Sequence, residues 1–432
     1  MRVTKNSRIR LFTALAAPIG ALPVLVAGTV WAASATRHPA RPTAAARQEA
    51  AGHRSQTATT GQVTRTAGYA RSAPRLMWAT FTSPANGYGY FTRTGWACLG
   101  QVARTGDGGR LFRDLVTVHR WRCASGDYVD MEVAADGRGD VFLFGRGLYI
   151  SHDGGRTWAQ APGVGQVLAI APRGRSIWML TQTCGRRKSA TRCRLDLRLS
   201  GNGGRTWRQA PAQPFGTAYR NAHPALDTGL LASQTWMVRT GQNSGYVVLP
   251  PFGLGWPSAP LRFTSTGGRS WTRERIPCPG QTAAASAPPH SGTLIAVCAG
   301  PPGHLPLQGK LVAVSADRGR TWSIRRPCPF KPGAGSGCIL DQGQVLQIAA
   351  TSPRVIFMVG GAVALAVSRD GGRAWRDLLP AASPGVRDTF TVQFLNRSDG
   401  FVLGLHHANP SEAIWRTRDG GRRWQLIVPV IR

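Results

Sequence analysis

The chain has 432 residues, of which 42% are apolar, and 53 Lys and Arg against 20 Asp and Glu give it a formal net charge of +33. The apolar fraction excludes a wholly disordered polymer, and 53 Gly with 30 Pro but no strict period exclude a collagen. A surface this basic attracts polyanions such as nucleic acid, anionic lipid or acidic cell-wall polymer, or else it is a solvated surface without a dedicated partner.

The first 35 residues have the layout of an export signal. Four basic residues between positions 2 and 10 precede an uncharged, mostly apolar run at 11–33, and Ala33-Ser34-Ala35 is a small-x-small cleavage site. The run of 23 residues is longer than a usual signal core of ~7–15 residues and long enough to span a bilayer. We expect either a cleaved signal peptide or an uncleaved membrane anchor over 1–35. Both put the remaining chain outside the cytoplasm, secreted or anchored to the cell membrane.

Residues 36–75 differ in composition from the rest of the chain. They are rich in Ala, Thr, Arg, Gln and Gly, and Val63 and Tyr69 are their only sizeable apolar residues. Such a segment cannot bury a core, so we expect a disordered cationic linker.

One short motif then returns through residues 76–432. It reads Ser-His-Asp-Gly-Gly-Arg-Thr-Trp at 151–158, and the other copies are 105–112, 200–207, 265–271, 315–322, 368–375 and 417–424. Successive aromatic positions are 46, 49, 64, 51, 53 and 49 residues apart, and the weaker first copy has Phe112 instead of Trp.

The chemistry of the motif predicts a hairpin turn. Gly-Gly supplies the positive φ that a tight turn needs, and Asp with the leading Ser or Thr can bind the N–H groups of the turn. The aromatic residue then begins the next strand and buries a large ring. The residues to which we assign this structural role are Asp107, Asp153, Trp158, Asn202, Trp207, Trp271, Asp317, Trp322, Asp370, Trp375, Asp419 and Trp424.

The segments between the motifs contain short β runs, such as 141–144, 177–180, 294–297 and 355–358. Three runs and the strand after each motif make four strands per ~50 residues, which is the period of a propeller blade. The 357 residues of 76–432 accommodate seven such units. We therefore predict an all-β fold, a seven-bladed β-propeller of four-stranded blades. How the ring closes stays open: the first blade borrows a strand from the last, or the reverse.

The motif resembles the BNR or Asp-box repeat found in sialidases and in many non-enzymatic propellers. The strand-turn-Gly segments at 81–90 and 394–404 also look like the seven-bladed photosystem II assembly and stability factor-like propellers, which are scaffolding proteins. The resemblance implies that the boxes lie at an outer rim, far from the ligand face, and are structural.

The even number of cysteines predicts disulfides in an exported chain. They are Cys98, Cys123, Cys184, Cys193, Cys278, Cys298, Cys328 and Cys338. Eight cysteines allow 105 connectivities. Sequential pairing is the simplest, because such pairs lie 9 to 25 residues apart.

A sialidase would need an arginine cluster, a Tyr–Glu nucleophile pair and an Asp acid/base, as the resemblance implies. The last tyrosine is Tyr246, so a nucleophile in a late blade is missing. The family's Arg-Ile-Pro motif occurs only at 275–277, where we interpret it as the end of an outer strand. No spacing among the remaining carboxylates singles out a catalytic pair for another glycosidase. We therefore predict no catalytic residue, no metal site and no cofactor.

These observations favour an exported, non-catalytic binding or scaffolding module of the cell envelope. Alternatives are a divergent, sialidase-like glycoside hydrolase and an electrostatic tether to anionic cell-wall polymer. We expect a monomer whose partner is a protein or an anionic glycan, with a membrane anchor at 11–33 if the signal is uncleaved, and no nucleic acid, because the chain is exported. The propeller face and central channel form the predicted partner surface. The insertions at 217–231 and 250–260 are its best candidates for contact.

Overall fold

The structure, a computed structural model, describes residues 72–432 except 96, 122–130, 185–190, 216–218, 222–235, 249–258, 279–280, 289–290, 300–309, 326–344, 361–362, 381–387 and 407–408. The predicted export segment at 1–35 and nearly all of the predicted linker lie outside the described residues. Within the described residues there are thirty β-strands and no α-helix. No helix there is long and apolar enough to cross a membrane.

Seven antiparallel sheets of consecutive strands form the seven blades of a β-propeller. Blade 1 has β1 (Arg75–Phe81), β2 (Gly87–Arg93), β3 (Cys98–Thr105) and β4 (Leu111–Trp121). Blade 2 has β5 (Glu132–Ala135), β6 (Val141–Phe144), β7 (Leu148–Ser151) and β8 (Ala159–Gln160). Blade 3 has β9 (Gln166–Arg173), β10 (Ser176–Cys184), β11 (Thr191–Ser200) and β12 (Arg208–Gln209), and β13 (Tyr219–Asn221) pairs with β11.

The remaining blades repeat this order. Blade 4 has β14 (Trp236–Arg239), β15 (Gly245–Val248), β16 (Ala259–Thr264) and β17 (Thr272–Ile276). Blade 5 has β18 (Gln281–Ser286), β19 (Leu294–Ala299), β20 (Lys310–Ser315) and β21 (Ser323–Arg325). Blade 6 has β22 (Val345–Ala350), β23 (Ile356–Gly360), β24 (Val363–Ser368) and β25 (Arg376–Pro380). Blade 7 has β26 (Asp388–Phe394), β27 (Gly400–His406), β28 (Asn409–Thr417) and β29 (Gln425–Ile427), followed by β30 (Val430–Ile431).

The hydrophobic core lies between the blades. The second strands, such as β6 and β23, are buried along their whole length because each packs against a blade on both sides. Phe142 of blade 2 therefore shares a cluster with Ile177 of blade 3, and Phe357 of blade 6 shares one with Val402 of blade 7. The continuous apolar runs of the sequence correspond to these doubly covered strands.

Each blade has two ends, which differ in their connections. At one end, here called the box face, the turn between the third and fourth strands lies beside the turn between the first and second strands. A backbone hydrogen bond from the first glycine position of the box joins the two turns in every blade, for example Gly108 N–H to Ala85 O at 2.7 Å and Gly420 N–H to Ser398 O at 2.9 Å. The other end, the opposite face, carries the second-to-third-strand turns and the blade-to-blade connections.

A fifth strand helps close the ring. β30 pairs in parallel with β4 of blade 1, and Val430 N–H donates to Arg110 O at 2.9 Å. All four main strands of blades 1 and 7 are consecutive in sequence. Neither blade borrows one of its four strands, and the chain end adds an outermost strand to blade 1 instead.

Side chains join the same two blades nearer the axis. The Gln393 side-chain amide accepts the Phe81 N–H at 2.9 Å and donates to the Phe81 carbonyl at 2.8 Å. Arg75 forms an ion pair with Glu412 at 2.9 Å, and Glu412 is only 4% exposed. We call this junction of blades 7 and 1 the seam.

Candidate functional site

Each box is a turn whose own side chains accept hydrogen bonds from its backbone N–H groups. In blade 2 the Ser151 hydroxyl donates to Asp153 Oδ1 at 2.7 Å and accepts the Gly155 N–H at 2.8 Å. Asp153 Oδ1 also accepts the N–H groups of Arg156 at 3.0 Å and Thr157 at 2.9 Å. Hydrogen bonds from the Thr157 hydroxyl and N–H and from Ser151 hold the pKa of Asp153 well below its ordinary value. The carboxylate is thus occupied by donors of its own turn.

In all seven blades the box hydroxyl accepts a hydrogen bond from the N–H of the second glycine, at 2.7 to 3.2 Å. In blade 4 the hydroxyl belongs to Thr264, whereas the sequence pattern assigned this role to Ser265. The pattern was wrong by one residue because the hydroxyl must lie two positions before the aspartate equivalent, here Thr266. Asn202 and Thr266 still accept the turn N–H of residues 206 and 270, both at 3.0 Å.

The box aromatic residues are less buried than the sequence suggested. Phe112 is fully buried, but the six box tryptophans are only half-buried. Trp424 meets Phe357 of blade 6 edge-on, with ring centroids 6.4 Å apart, and Trp271 meets Trp178 of blade 3 at 6.2 Å. The rings lie where two blades meet, so their outer edges stay in solvent.

The second glycine of each box lies against the preceding blade. A Cβ on Gly204 would lie 2.8 Å from Phe142 Cε1, and one on Gly421 would lie 2.5 Å from Phe357 Cε1. In every blade such a Cβ would meet a side chain of the preceding blade. The seven glycines and their neighbours are Gly109 with Ile414, Gly155 with Tyr88, Gly204 with Phe142, Gly268 with Ala210, Gly319 with Leu261, Gly372 with Val312 and Gly421 with Phe357.

A ring of exposed arginines surrounds the box face. The residue after the second glycine is arginine in all seven boxes, and all seven side chains are exposed: Arg110, Arg156, Arg205, Arg269, Arg320, Arg373 and Arg422. Four first-to-second-strand turns add exposed Arg138, Arg175, Arg354 and Arg397 to the same face. These residues were not among the predicted site residues, although their repetition at one box position is visible in the sequence. These eleven arginines outnumber the aspartates of the same turns, so the box face carries an excess of positive charge.

The opposite end of blade 1 carries an aromatic cluster around His119. The His119 ring stacks on Trp121 at 4.9 Å and on Tyr149 at 5.4 Å, and its Nε2 lies 3.2 Å from the Tyr90 hydroxyl. Burial lowers the pKa of His119 to about 4, so the ring is neutral at physiological pH. We interpret the cluster as interior packing between blades 1 and 2.

One of the four predicted disulfides has both of its cysteine side chains described. Cys278 and Cys298 form a disulfide that joins the end of blade 4 to the second strand of blade 5. Cys98 is also disulfide-bonded, and Cys123 lies outside the described residues. Cys184 lies opposite Cys193 in the register of β10 and β11. Cys328 and Cys338 lie outside the described residues.

The enzymatic alternative concerns the Arg-Ile-Pro segment, the carboxylates and any group of metal-binding side chains. Arg275 and Ile276 end β17, the outer strand of blade 4, as expected for the Arg-Ile-Pro segment. The described carboxyls whose pKa is clearly shifted are five box aspartates, and in each of them the pKa is lowered. No three His, Cys, Asp or Glu side chains of the described part are grouped as a metal ion would need. The insertions at 217–231 and 250–260 lie almost wholly outside that part.

Comparisons with known proteins agree on the repeat and the fold. The model of the BNR/Asp-box repeat matches residues 149–160, which contain the box of blade 2. No curated protein is significantly similar to the chain in sequence. Among solved structures, YCF48 bound to D1 peptide covers 81% of this chain and 94% of its own, at 17% identity and a TM-score of 0.51.

Two further structures are similar with lower scores. YCF48 from Cyanidioschyzon merolae covers 81% of this chain and 97% of its own, at 14% identity and a TM-score of 0.48. A GH74 xyloglucanase from Xanthomonas campestris covers 83% of this chain and 69% of its own, at 14% identity and a TM-score of 0.43. At these identities the similarity concerns the fold alone: the chain is a seven-bladed propeller with Asp-box repeats.

Proposed function

We propose that this protein is an exported, non-catalytic propeller that acts as a binding and scaffolding module at the cell envelope. Its exposed arginines favour the box face as the contact surface, in place of the ligand face that the resemblance implied. The observation that carries the proposal is the ring of exposed arginines at equivalent positions of all seven blades. A cationic surface of this kind suits a partner with many negative charges, whether an acidic protein or an anionic glycan.

The charge balance of the propeller supports this surface. Residues 76–432 contain 42 Lys and Arg against 19 Asp and Glu. Five of those aspartates are the box residues Asp107, Asp153, Asp317, Asp370 and Asp419, whose carboxylates accept hydrogen bonds inside their turns. The guanidinium groups beside them therefore remain available to an acidic partner.

The extracytoplasmic location rests on the charged and apolar layout of residues 1–35. YCF48, which is similar in fold, has a structure with a bound D1 peptide, so a propeller of this shape can present a protein-binding surface. The alternative of a divergent glycoside hydrolase requires a proton-donating carboxyl with a raised pKa. The alternative of an electrostatic tether uses the same box face and differs in its response to salt.

The proposal can be tested by capture from native cell envelopes with the full-length protein as bait. The test compares wild type with Arg110→Gln/Arg205→Gln/Arg320→Gln, which removes three charges from the box face. The matched control, Arg120→Gln/Arg146→Gln/Arg275→Gln, removes three exposed charges near the opposite face. We expect the first variant to lose its partner while the control keeps it.

Salt distinguishes the candidate partners. A protein that stays bound at high salt and is lost only from the box-face variant supports the scaffold. Release of wall polymer alone at high salt supports the electrostatic tether. Equal loss from both triple variants would show that net charge, and not the box face, causes binding, and would overturn the proposal.

A further inference from the structure

A surface cleft lies on the box face at the seam between blades 7 and 1. It has a volume of about 490 Å³ and is lined by Pro84, Ala85, Asp107, Arg110, Asp399, Arg416 and Arg418. Volumes of roughly 300–1,000 Å³ are typical of small-molecule sites. Two apolar residues form one wall, and three arginines outnumber two aspartates around it.

Arg416 is the unusual residue of this cleft. It is only 5% exposed, and its Nε is buried without a hydrogen-bond partner among the described residues. Its guanidinium lies over the Phe401 ring at 5.5 Å, a contact that compensates for little of the lost hydration. No carboxylate of the described part lies within ion-pair distance of it. Buried charged side chains are ordinarily paired with an opposite charge, and among the described residues Arg416 has no such partner.

The two carboxylates of the cleft do not supply that charge. Asp107 Oδ1 accepts the N–H groups of Arg110 and Leu111, both at 3.0 Å. Asp399 Oδ2 accepts the Asn396 side-chain amide at 2.9 Å. Burial, reinforced by Arg418 and Arg110, lowers the pKa of Arg416, and Asp399 only partly opposes this.

The fold itself does not require a cation at this position. The residue just before the box hydroxyl is apolar in five other blades: Ile150, Leu199, Phe263, Val314 and Val367. These residues are buried or half-buried and pack between blades. The remaining equivalent, Arg104 of blade 1, is exposed and pairs with Asp114 at 2.6 Å, so neither packing nor an ion pair of this kind explains the buried arginine of blade 7.

We propose that the seam cleft binds one anionic group, a carboxylate or a phosphate, of a small ligand or polymer end, with Arg416 as its buried anchor. Arg110 and Arg418 line the cleft from the two sides of the seam and add positive charge around the same space. Arginine suits this role because its planar fork binds oxyanions through two hydrogen bonds. The site shares Arg110 with the arginine ring, but Arg416 does not belong to that ring, so anion binding here is tested separately from the partner of the box face.

The test is calorimetric titration of the full-length protein at constant ionic strength with inorganic phosphate, glucuronate and glucose. We expect saturable binding of phosphate, of glucuronate or of both, and none of glucose. Binding of phosphate alone or of glucuronate alone identifies the anionic group and supports the proposal. Equal binding of glucose and glucuronate, or no saturable binding of either anion, would overturn it.

Arg416→Leu is the deciding variant, because the equivalent residue is apolar in five other blades and the fold should tolerate it. We expect anion affinity to fall about tenfold or more, as for loss of a charge-assisted hydrogen bond. The matched control Arg320→Leu removes an exposed box-face arginine of blade 5. Blade 5 takes no part in the seam between blades 7 and 1, so this variant should bind the anion as wild type does.

Thermal unfolding gives an independent readout. The bound anion should raise the melting temperature of wild type and Arg320→Leu but not that of Arg416→Leu, since a ligand stabilises only the state that it binds. If Arg416→Leu fails to fold, Arg416→Lys keeps the charge without the fork and should bind more weakly than wild type. Unchanged anion affinity in either Arg416 variant would contradict the proposed anchor.

Discussion

At the scale of residues, the second glycine of each box lies where two blades meet. Its φ is positive, and its missing Cβ leaves room for a side chain of the preceding blade. The first glycine is less strictly required. In blade 5 its place is taken by Arg318, which adopts a φ of 68° and still donates its N–H to Gly292 O at 3.0 Å. The turn of blade 5 thus accommodates a side chain at the first glycine position.

Gly204→Ala should therefore destabilise the protein strongly. The added methyl would meet Phe142 at 2.8 Å with the backbone at a φ of +86°, so we expect a loss of about 2–4 kcal/mol in the free energy of unfolding. Urea denaturation would measure it. Gly201→Ala in the same box is the matched control, since a Cβ there meets nothing within 4 Å. Equal midpoints for the two variants would contradict this role of the second glycine.

The lowered pKa of His119 predicts how the stability of the protein changes with pH. Its pKa is about 4 in the folded protein and 6.5 when unperturbed, so the unfolded chain binds the extra proton between these values. Its contribution to stability is therefore complete above pH 6.5 and is lost as the pH falls toward 4. From about pH 7 to about pH 5 we expect a loss of about 1–2 kcal/mol.

His119→Phe keeps a stacked ring and should flatten this pH dependence. Thermal melts of wild type and of this variant across the same pH range would measure it. A wild-type slope in His119→Phe would show that another group is responsible. The box aspartates have lowered pKa values, so their contributions are lost only at lower pH.

At the scale of elements, the seam is the one junction whose two blades come from opposite ends of the described chain. β30 pairs with β4 at the rim, and the Gln393 amide binds both backbone groups of Phe81 nearer the axis. The other six junctions join blades that are adjacent in sequence, so forming them closes only short loops. The seam must overcome the entropy of closing the whole ring, which explains why it carries several polar links.

Gln393→Leu should weaken this junction. The substitution keeps a comparable volume but leaves the Phe81 N–H and carbonyl without their partner, so we expect a loss of about 2–4 kcal/mol. The exposed Gln425→Leu on the outer strand β29 is the matched control and should change stability little. Denaturation curves that coincide for the two variants would show that the amide does not hold the seam.

At the scale of the whole molecule, the sevenfold arrangement turns a local repeat into a continuous surface. One arginine per box is a minor feature of a single turn, but seven at equivalent positions give one face a ring of positive charge. Such a field acts over roughly 8–10 Å at physiological salt and adds to the attraction of any extended polyanion. Arg416 differs from the ring because it is buried and belongs to one blade only.

Local chemistry in the sequence was sufficient to predict the all-β class, the seven blades and the position of every box to within one residue. The Asp-Gly-Gly turn and its period depend on neighbouring residues alone, so they could be predicted without a structure. The same holds for the second strands at 141–144 and 294–297, whose apolar runs predict burial on both faces. The one-residue error at Ser265 arose because two hydroxyl residues are adjacent there.

Only the tertiary structure decided how the ring closes and that Arg416 is buried beside the seam cleft. Pairing of β30 with β4 and of Gln393 with Phe81 joins residues more than 300 positions apart, and no local pattern encodes such contacts. The burial of Arg416 likewise depends on Gly108 and Phe401 from two different blades. A turn depends on residues that are adjacent in the chain, so it can be predicted from the sequence. The burial of a charged side chain depends on residues from distant parts of the chain that pack around it.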